Sequence, residues 1–546
     1  MSVGVESESP YKSESRASAS AGLGWFHWLE ASEPRGYWVL ALFTFLTRLP
    51  LLTYPKACDD EQVYAVVGME MLRGGRPYID AIERKPPLLF YLYEELFRLG
   101  GAYNYFILHL AALLWTLATM AAIYAVARRL FDSATGFVAA LMYAIFMAWA
   151  DYTNLALNGE LLMNLPVVLA FAIAFRSSQS RLRAELLAAG ALIALAFLLK
   201  QPSVAAGLPL SVYVLHRGYR ANRSLSWASS LLHGALLAVG FGLTLLCAGL
   251  LLHRVGILRE AWYWTIVNHS NPLGPNTWFF WHKLPLIGTF FTAETLLLLL
   301  GSFLSCREGL KQNSTWGCQR AEFTAIVILL GVSVLGVSVN GQFNYHYFLQ
   351  LMPPLALLAA PFFAEIWRGK RQPSVWILQP LFLARWLGVT ALLFLTVDTI
   401  GLARNRYPHK TAVYVHEHST ENDRFFMWGQ GTAQTGLYLD AQRRPATRYI
   451  ASFPLNGLVF GLLDPNFDLS HHVVPGAWDN LRQDFARHPP KFIIDCHIVR
   501  DGQMFKIRDY PYLRDLLATE YREVFRAEDG VVYQRQSNSE PLRTSK

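Results

Sequence analysis

The sequence predicts a polytopic α-helical membrane protein with about 11–13 transmembrane helices and a C-terminal α/β domain on the extracytoplasmic side. Three observations lead there. Apolar residues fill 53% of the 546 positions and charged residues only 16%, against about 25% charged in an average soluble domain. The charge deficit is concentrated before residue 403, so it marks a membrane region and not a uniformly greasy chain. The basic residues collect in every second gap between apolar runs, the pattern by which positive charge orients helices in a bilayer.

Residues 1–36 are polar and Ser/Glu-rich, without the apolar core of a cleavable signal. They are expected in the cytoplasm, with the first crossing as an uncleaved anchor. A hydrocarbon layer about 30 Å thick needs about 20 apolar residues, fewer where the ends are aromatic or snorkel. Runs of this kind lie near 37–54, 104–127, 134–150, 155–175, 184–199, 202–215, 227–252, 284–303, 321–339, 346–366 and 382–402. Arg128 and Arg129; Arg176, Arg181 and Arg183; Arg217, Arg220 and Arg223; Arg307, Lys311 and Arg320; and Arg368, Lys370 and Arg371 mark the cytoplasmic gaps. The odd number of crossings leaves residues 403–546 outside, after a membrane region spanning 37–402.

The first outer gap, 55–103, is too patterned for a linker. Gln62 to Leu72 and Leu88 to Leu99 both read as helices along the outer membrane surface, the first stopped by Arg73-Gly74-Gly75 and the second started by Pro86-Pro87. In the tail, Arg424–Gly429, Ala446–Ser452, Lys491–Cys496 and Gly530–Arg535 read as strands. Residues 432–440, Ala477–Arg487 and Tyr512–Tyr521 read as helices over a sheet.

The net charge of +8 belongs to the orienting loops, and no zinc-finger, basic-helix or aromatic-basic strand pattern accompanies it. No nucleic-acid partner is expected. Five cysteines, at Cys58, Cys247, Cys306, Cys318 and Cys496, are too scattered for a disulfide framework.

Polar residues gathered at one mouth of a membrane bundle are costly unless they act or pair. Asp59-Asp60-Glu61 follows the first crossing, and either caps the next helix or offers a carboxylate as general base on an incoming hydroxyl. Glu160, after Asn158-Gly159, is either a helix-terminal acid or a carboxylate facing the cavity. Glu83 could join it around a divalent ion such as Mg, Mn or Zn. Arg84 and Lys85 stand in a gap where orientation asks for no basic residue, and either touch lipid phosphate or meet a phosphate-bearing substrate. Arg48, Asp151, Tyr345 and His346 add polar groups at the same face. His269 and His282, in a gap with Trp262, Trp264, Trp278 and Trp281, are weaker candidates.

These residues resemble a known family. Asp60-Glu61-Gln-Val-Tyr64-Ala65, Leu72-Arg-Gly-Gly-Arg-Pro77-Tyr78 and Lys85-Pro86-Pro87-Leu88 are similar to the first outer loop of the GT-C membrane glycosyltransferases. The likeness is to the branch of the protein O-mannosyltransferases and the lipid A aminoarabinose transferase. Asn158-Gly-Glu160, Asn344-Tyr-His346 to Leu355 and Phe426-Met-Trp428-Gly429 extend it to about residues 37–535. The resemblance implies a GT-C fold, a polyprenyl-phosphate-linked sugar donor, and a lipid, glycan or protein acceptor at the outer face of a bacterial plasma membrane. It implies Asp60 as the catalytic acid of the loop, Lys85 as the donor-phosphate contact and Glu160 as the second acidic position. Arg84 separates Glu83 from Lys85, where the aminoarabinose branch has the glutamate directly before the lysine. The expected reaction is an inverting transfer by a monomer, with Asp60 as base, Lys85, Arg84, Arg48 and His346 toward the phosphate, and Asp59, Glu61, Asp151 and Tyr345 as further candidates. The alternative is a transporter or flippase for a lipid-linked saccharide, although the internal repeat common in transporters is not evident.

Overall fold

The computed structural model describes residues 33–54, 59–149, 152–176, 181–221, 226–268, 284–311 apart from 286 and 289, 320–338, 343–369, 379–404, 407–429, 432–457, 470–496, 498–500 and 503–536. The side chain of Asp59, and Cys58, Asp151, His269, Trp278, Trp281, His282 and Cys318, lie outside the described residues.

Each predicted apolar run is occupied by a helix. Eight of the described helices are long and apolar enough to cross a membrane, and Ser133–Phe146 is a shorter apolar one. Helices Gly207–Ala221 and Ala293–Gly309 fill two further predicted runs. The segment Tyr345–Trp367 is enclosed along its whole apolar window, whereas Trp227–Val255 has only 17% of its window buried and lies at the rim. Hydrophobicity alone does not separate these two roles, since lipid and protein interior are equally apolar.

In the outer loop, helices Asp59–Leu72 and Pro87–Gly100 form where expected. The acidic run starts the first helix instead of preceding it, which places its charges at the positive end of the helix dipole. Gly74, at φ 83°, ends that helix, with its N–H donating to the Met71 carbonyl at 2.9 Å. Residues 61–71 are buried throughout, because helix Pro87–Gly100 packs on one side and helix Thr432–Ala441 of the C-terminal unit on the other.

That unit holds a five-stranded sheet in the order Arg444–Pro445, Arg424–Trp428, Phe492–Asp495, Gly530–Arg535, Tyr521–Ala527. Its strands are β1 Arg424–Trp428, β2 Arg444–Pro445, β3 Phe492–Asp495, β6 Tyr521–Ala527 and β7 Gly530–Arg535, while β4 Ile498–Arg500 and β5 Gln503–Phe505 pair separately. β1 runs parallel to β2 and β3, and β7 antiparallel to β3 and β6. β3 is buried along its length and β1 in all but Arg424, so they read as continuous apolar runs.

The strand expected over Ala446–Ser452 is not present. The ladder stops after Ala446 N donates to Phe425 O. Asp484 then draws the next residues away by accepting from the Thr447 hydroxyl at 3.0 Å and the Arg448 amide at 3.1 Å. β6 went unpredicted because the exposed charges Arg522, Glu523 and Arg526 interrupt any two-residue alternation of apolar side chains.

The sheet unit grips the outer loop at several points. Arg444 forks onto Glu70, Nη2 to Oε2 at 2.6 Å and Nε to Oε1 at 3.1 Å. Ile82 N donates to Arg448 O at 2.9 Å. Gly436, on helix Thr432–Ala441, admits the Gln62 side chain into the space that a Cβ would occupy.

Candidate active site

Asp60 lies in the first turn of the buried outer helix, with its side chain 17% exposed. One turn on, Tyr64 donates its hydroxyl to Asp60 Oδ2 at 2.9 Å. Glu61 points the other way and is fully buried. Its Oε1 accepts from Leu157 N at 3.0 Å and its Oε2 lies 3.1 Å from His109 Nε2. Adjacent acids thus divide the work: Glu61 anchors the helix to the bundle, and Asp60 is left facing Lys85, His346 and Lys200.

Lys85 arrives through a strained turn. Tyr78 has φ 67°, a left-handed conformation uncommon for a side-chain-bearing residue. Its hydroxyl donates to the Lys85 carbonyl at 2.7 Å and its amide to Ala81 O at 2.9 Å. These two contacts fix where the lysine starts.

The second acid comes from the bundle. Asn158 caps helix Gly159–Arg176, its Oδ1 accepting from Leu161 N at 2.8 Å. Glu160 is 1% exposed, and its Oε1 holds Lys200 Nζ at 2.7 Å. Lys200 follows helix Leu182–Leu199 in extended conformation, where the chain must turn before Pro202. The pair can meet because residue 159 is glycine: a Cβ there would stand 2.9 Å from Lys200 Cδ. The Lys200 ammonium also sits 5.2 Å above the Tyr347 ring. Glu160 Oε2 is buried with no hydrogen-bond partner.

His346 enters on the 3₁₀ turn Tyr345–Leu351, its Nε2 3.5 Å from Asp60 Oδ2. Asn164 Nδ2 donates to Leu349 O at 3.1 Å and ties this turn to the Glu160 helix. Five separate segments therefore converge, carrying Asp60 and Tyr64, Glu83 and Lys85, Glu160, Lys200, and His346.

Burial by itself would raise the Asp60 pKa. The Lys85 charge, the His346 contact and the Lys200 charge together outweigh it, so the carboxyl is held far below the usual carboxylate range. Lys85 is lowered by burial and by the neighbouring Lys200, against the pull of Asp60, Glu83 and Glu160. Tyr64 is pushed well up, by burial first and then by Asp60, Glu160 and Glu83, so it remains a proton donor to the carboxylate.

Other candidates lie elsewhere. Arg48 is 2% exposed inside the bundle, donating to Leu155 O at 3.0 Å, which makes it a tie between the first crossing and the 152–158 turn. Its place within the apolar helix, not at its end, buries it there. Arg84 lays its guanidinium 4.8 Å from the Phe453 ring centre, facing the C-terminal unit. Tyr345 packs against Trp149, ring centres 6.0 Å apart. Trp264 is buried and Trp262 exposed.

Lys200, Tyr64 and Tyr347 escaped the sequence reading. For Lys200 a signal existed: it is a lone base between two apolar runs in an outer gap, the same argument that singled out Lys85. A divalent ion at Glu83 and Glu160 fits poorly. An ammonium already takes one Glu160 oxygen, one free oxygen remains, and a hard cation needs about six. No group of three or more His, Cys, Asp or Glu able to hold a metal occurs among the described residues.

Residues 84–246 match the family model for dolichyl-phosphate-mannose-protein mannosyltransferase. No curated protein matches the chain. Among solved structures, ArnT from Cupriavidus metallidurans bound to undecaprenyl phosphate is similar with a TM-score of 0.57 at 17% identity, over 93% of this chain and 98% of that one. The archaeal oligosaccharyltransferase AglB from Archaeoglobus fulgidus, in complex with an inhibitory peptide and a dolichol-phosphate, is similar with a TM-score of 0.53 at 14% identity, over 94% of this chain and 76% of that one. Taken with the helical bundle and its appended sheet unit, these likenesses identify the chain's fold as that of the GT-C membrane glycosyltransferases.

Proposed function

We propose that the protein is a glycosyltransferase that moves a sugar from a polyprenyl-phosphate-linked donor to an acceptor hydroxyl at the outer face of a bacterial plasma membrane. The observation that carries this reading is a largely buried carboxylate, Asp60, held ionised by Lys85, His346 and Lys200, which come from three other segments. The matched family model and the lipid phosphates bound by ArnT and AglB support the donor class.

The donor phosphate meets Lys85 and the Lys200 ammonium, which offset the charge that grows on the leaving oxygen. The acceptor oxygen attacks the anomeric carbon from the opposite side, so the configuration inverts. A new carbon–oxygen bond forms, the bond to the phosphate oxygen breaks with its electron pair, and the acceptor proton passes to Asp60. A carboxylate held this low is a weak base toward a resting hydroxyl. The hydroxyl becomes strongly acidic once its oxygen bonds to carbon, so proton transfer falls late and a weak base suffices. The free Glu160 Oε2 is placed to accept a hydroxyl of the sugar or the acceptor. The N-terminus lies in the cytoplasm and the sheet unit outside, and no step requires a metal.

The test is sugar transfer from a polyprenyl-phosphate-linked donor by the purified protein. Asp60→Asn keeps the fold and loses about 10²–10⁴-fold in rate, whereas near-normal rates would remove Asp60 as the base. Lys85→Ala raises the donor KM, and unchanged donor kinetics would count against its phosphate contact. Movement of labelled donor across vesicles with no transfer product would favour a flippase instead. Comparing extracted glycolipids and surface glycans by mass spectrometry, with and without the active protein, identifies the acceptor.

A further inference from the structure

A cavity of about 350 Å³ opens between helices Gly207–Ala221 and Arg320–Ser338. It is far from Asp60. The first helix begins beside Lys200 and the 3₁₀ turn Gln201–Ala206, and the cavity lies toward its other end, at Arg220. The second ends toward the His346 segment, and the cavity lies at its start, at Arg320. At 1.5 Å per residue these helices place the cavity about 20–30 Å from the reacting groups, on the opposite face of the bundle.

Its walls divide by polarity. Arg220, Arg320 and His216 supply basic groups from two helices, while Val212, Ala325 and Ile328 supply an apolar side. Neither guanidinium has a carboxylate partner among the described residues. Glu322, close behind, is buried and accepts the Tyr213 hydroxyl at 3.1 Å. Beside Arg220, Tyr219 packs edge-on against Trp227 with ring centres 5.1 Å apart, and Trp227 is largely exposed. Such aromatic pairs sit where headgroups begin. Leu208, Val212 and Leu215 on one helix, and Val334 and Leu335 on the other, are exposed toward lipid.

We propose that this cavity binds the phosphate headgroup of an anionic membrane lipid from the leaflet opposite the Asp60 site, with Arg220 and Arg320 forking onto the phosphate and an acyl chain running along Val212 and Ile328. Guanidinium groups suit this task because their planar donors match phosphate oxygens and remain charged at every physiological pH. Orientation of the helices alone requires positive charge at this face, but not a hollow with an apolar wall beneath it. A lipid source is favoured over free phosphate because the exposed Val212 lines the cavity and the exposed Leu215 follows on the same helix, short of the Tyr219–Trp227 pair.

The test is native mass spectrometry of the full-length protein in detergent, titrated with phosphatidylglycerol and, in parallel, phosphatidylcholine. Arg220→Gln combined with Arg320→Gln is expected to weaken retention of the first phosphatidylglycerol about tenfold or more, with phosphatidylcholine unaffected. The charge-matched pair Arg181→Gln and Arg183→Gln, on the same face outside the cavity, should retain the lipid normally. Val212→Trp keeps every charge but fills the apolar side, and should also lower retention. Equal retention in wild type and both cavity variants, or equal loss in the charge-matched control, overturns the proposal. Displacement of the lipid by millimolar inorganic phosphate would assign the cavity to a free anion and overturn the lipid source.

Discussion

At the scale of single residues, Asp60 is ionised because cations outweigh its burial, and those cations are the ones a donor phosphate would meet. The sign of the coupling follows. A bound phosphate offsets part of the Lys85 and Lys200 charge, so the Asp60 pKa is higher in the donor complex than in the free protein. The acid limb of kcat should therefore fall at higher pH than that of kcat/KM; coincident limbs would show that the base does not sense the donor charge. Gly159 gives a second prediction. Gly159→Val forces a side chain against Lys200, separates it from Glu160 and should raise the donor KM, while Leu157→Val nearby leaves it unchanged. Lys200→Ala strands a buried carboxylate and should destabilise the protein by about 3–5 kcal/mol, measured by thermal unfolding in detergent; Lys200→Ala with Glu160→Leu together should recover much of that loss.

At the scale of elements, the outer helix Asp59–Leu72 is a lever held at both ends. Glu61 fixes its start to His109 and the Leu157 amide, and Glu70 fixes its far end to Arg444. The Glu70 side chain is 5% exposed and that of Arg444 24%, so solvent screens the fork only in part. A double-mutant cycle between Glu70→Gln and Arg444→Met should give a coupling of about 1–3 kcal/mol. Each single variant should also raise the donor KM, because the loop carrying Lys85 hangs from the same contacts. Coupling near zero would mean that the sheet unit merely rests on the loop. The helix pair was legible in the sequence through its apolar spacing, Pro86-Pro87 and Gly74-Gly75. Its complete burial was not, because a helix touched from two sides needs the second partner, more than 350 residues away in the chain, to be in place.

For the whole molecule, the proposed chemistry occupies one face and the paired arginines the other, which makes sidedness testable. A membrane-impermeant reagent applied from outside to a cysteine-free variant should label Cys introduced at Glu421 and not at Arg181; the reverse would put the reacting groups on the cytoplasmic side. Sugar transfer should persist in EDTA, since the lysine ammonium of Lys200 stands beside the carboxylate that a metal would need.

The amino-acid order alone determined the eleven helical runs, the two outer helices and most of the sheet strands, and singled out Asp60, Lys85, Glu160 and His346 as candidates, because these readings depend on local hydropathy, turn chemistry and short-range motifs. Only the tertiary structure decided that Glu160 faces Lys200, that Arg48 ties the bundle to its turn, that Arg84 faces Phe453 and that Glu61 is an anchor. Those outcomes depend on which distant segment fills the space beside each charge. In a low-dielectric interior the neighbour, and not the residue type, sets whether a charge is structural or left to act.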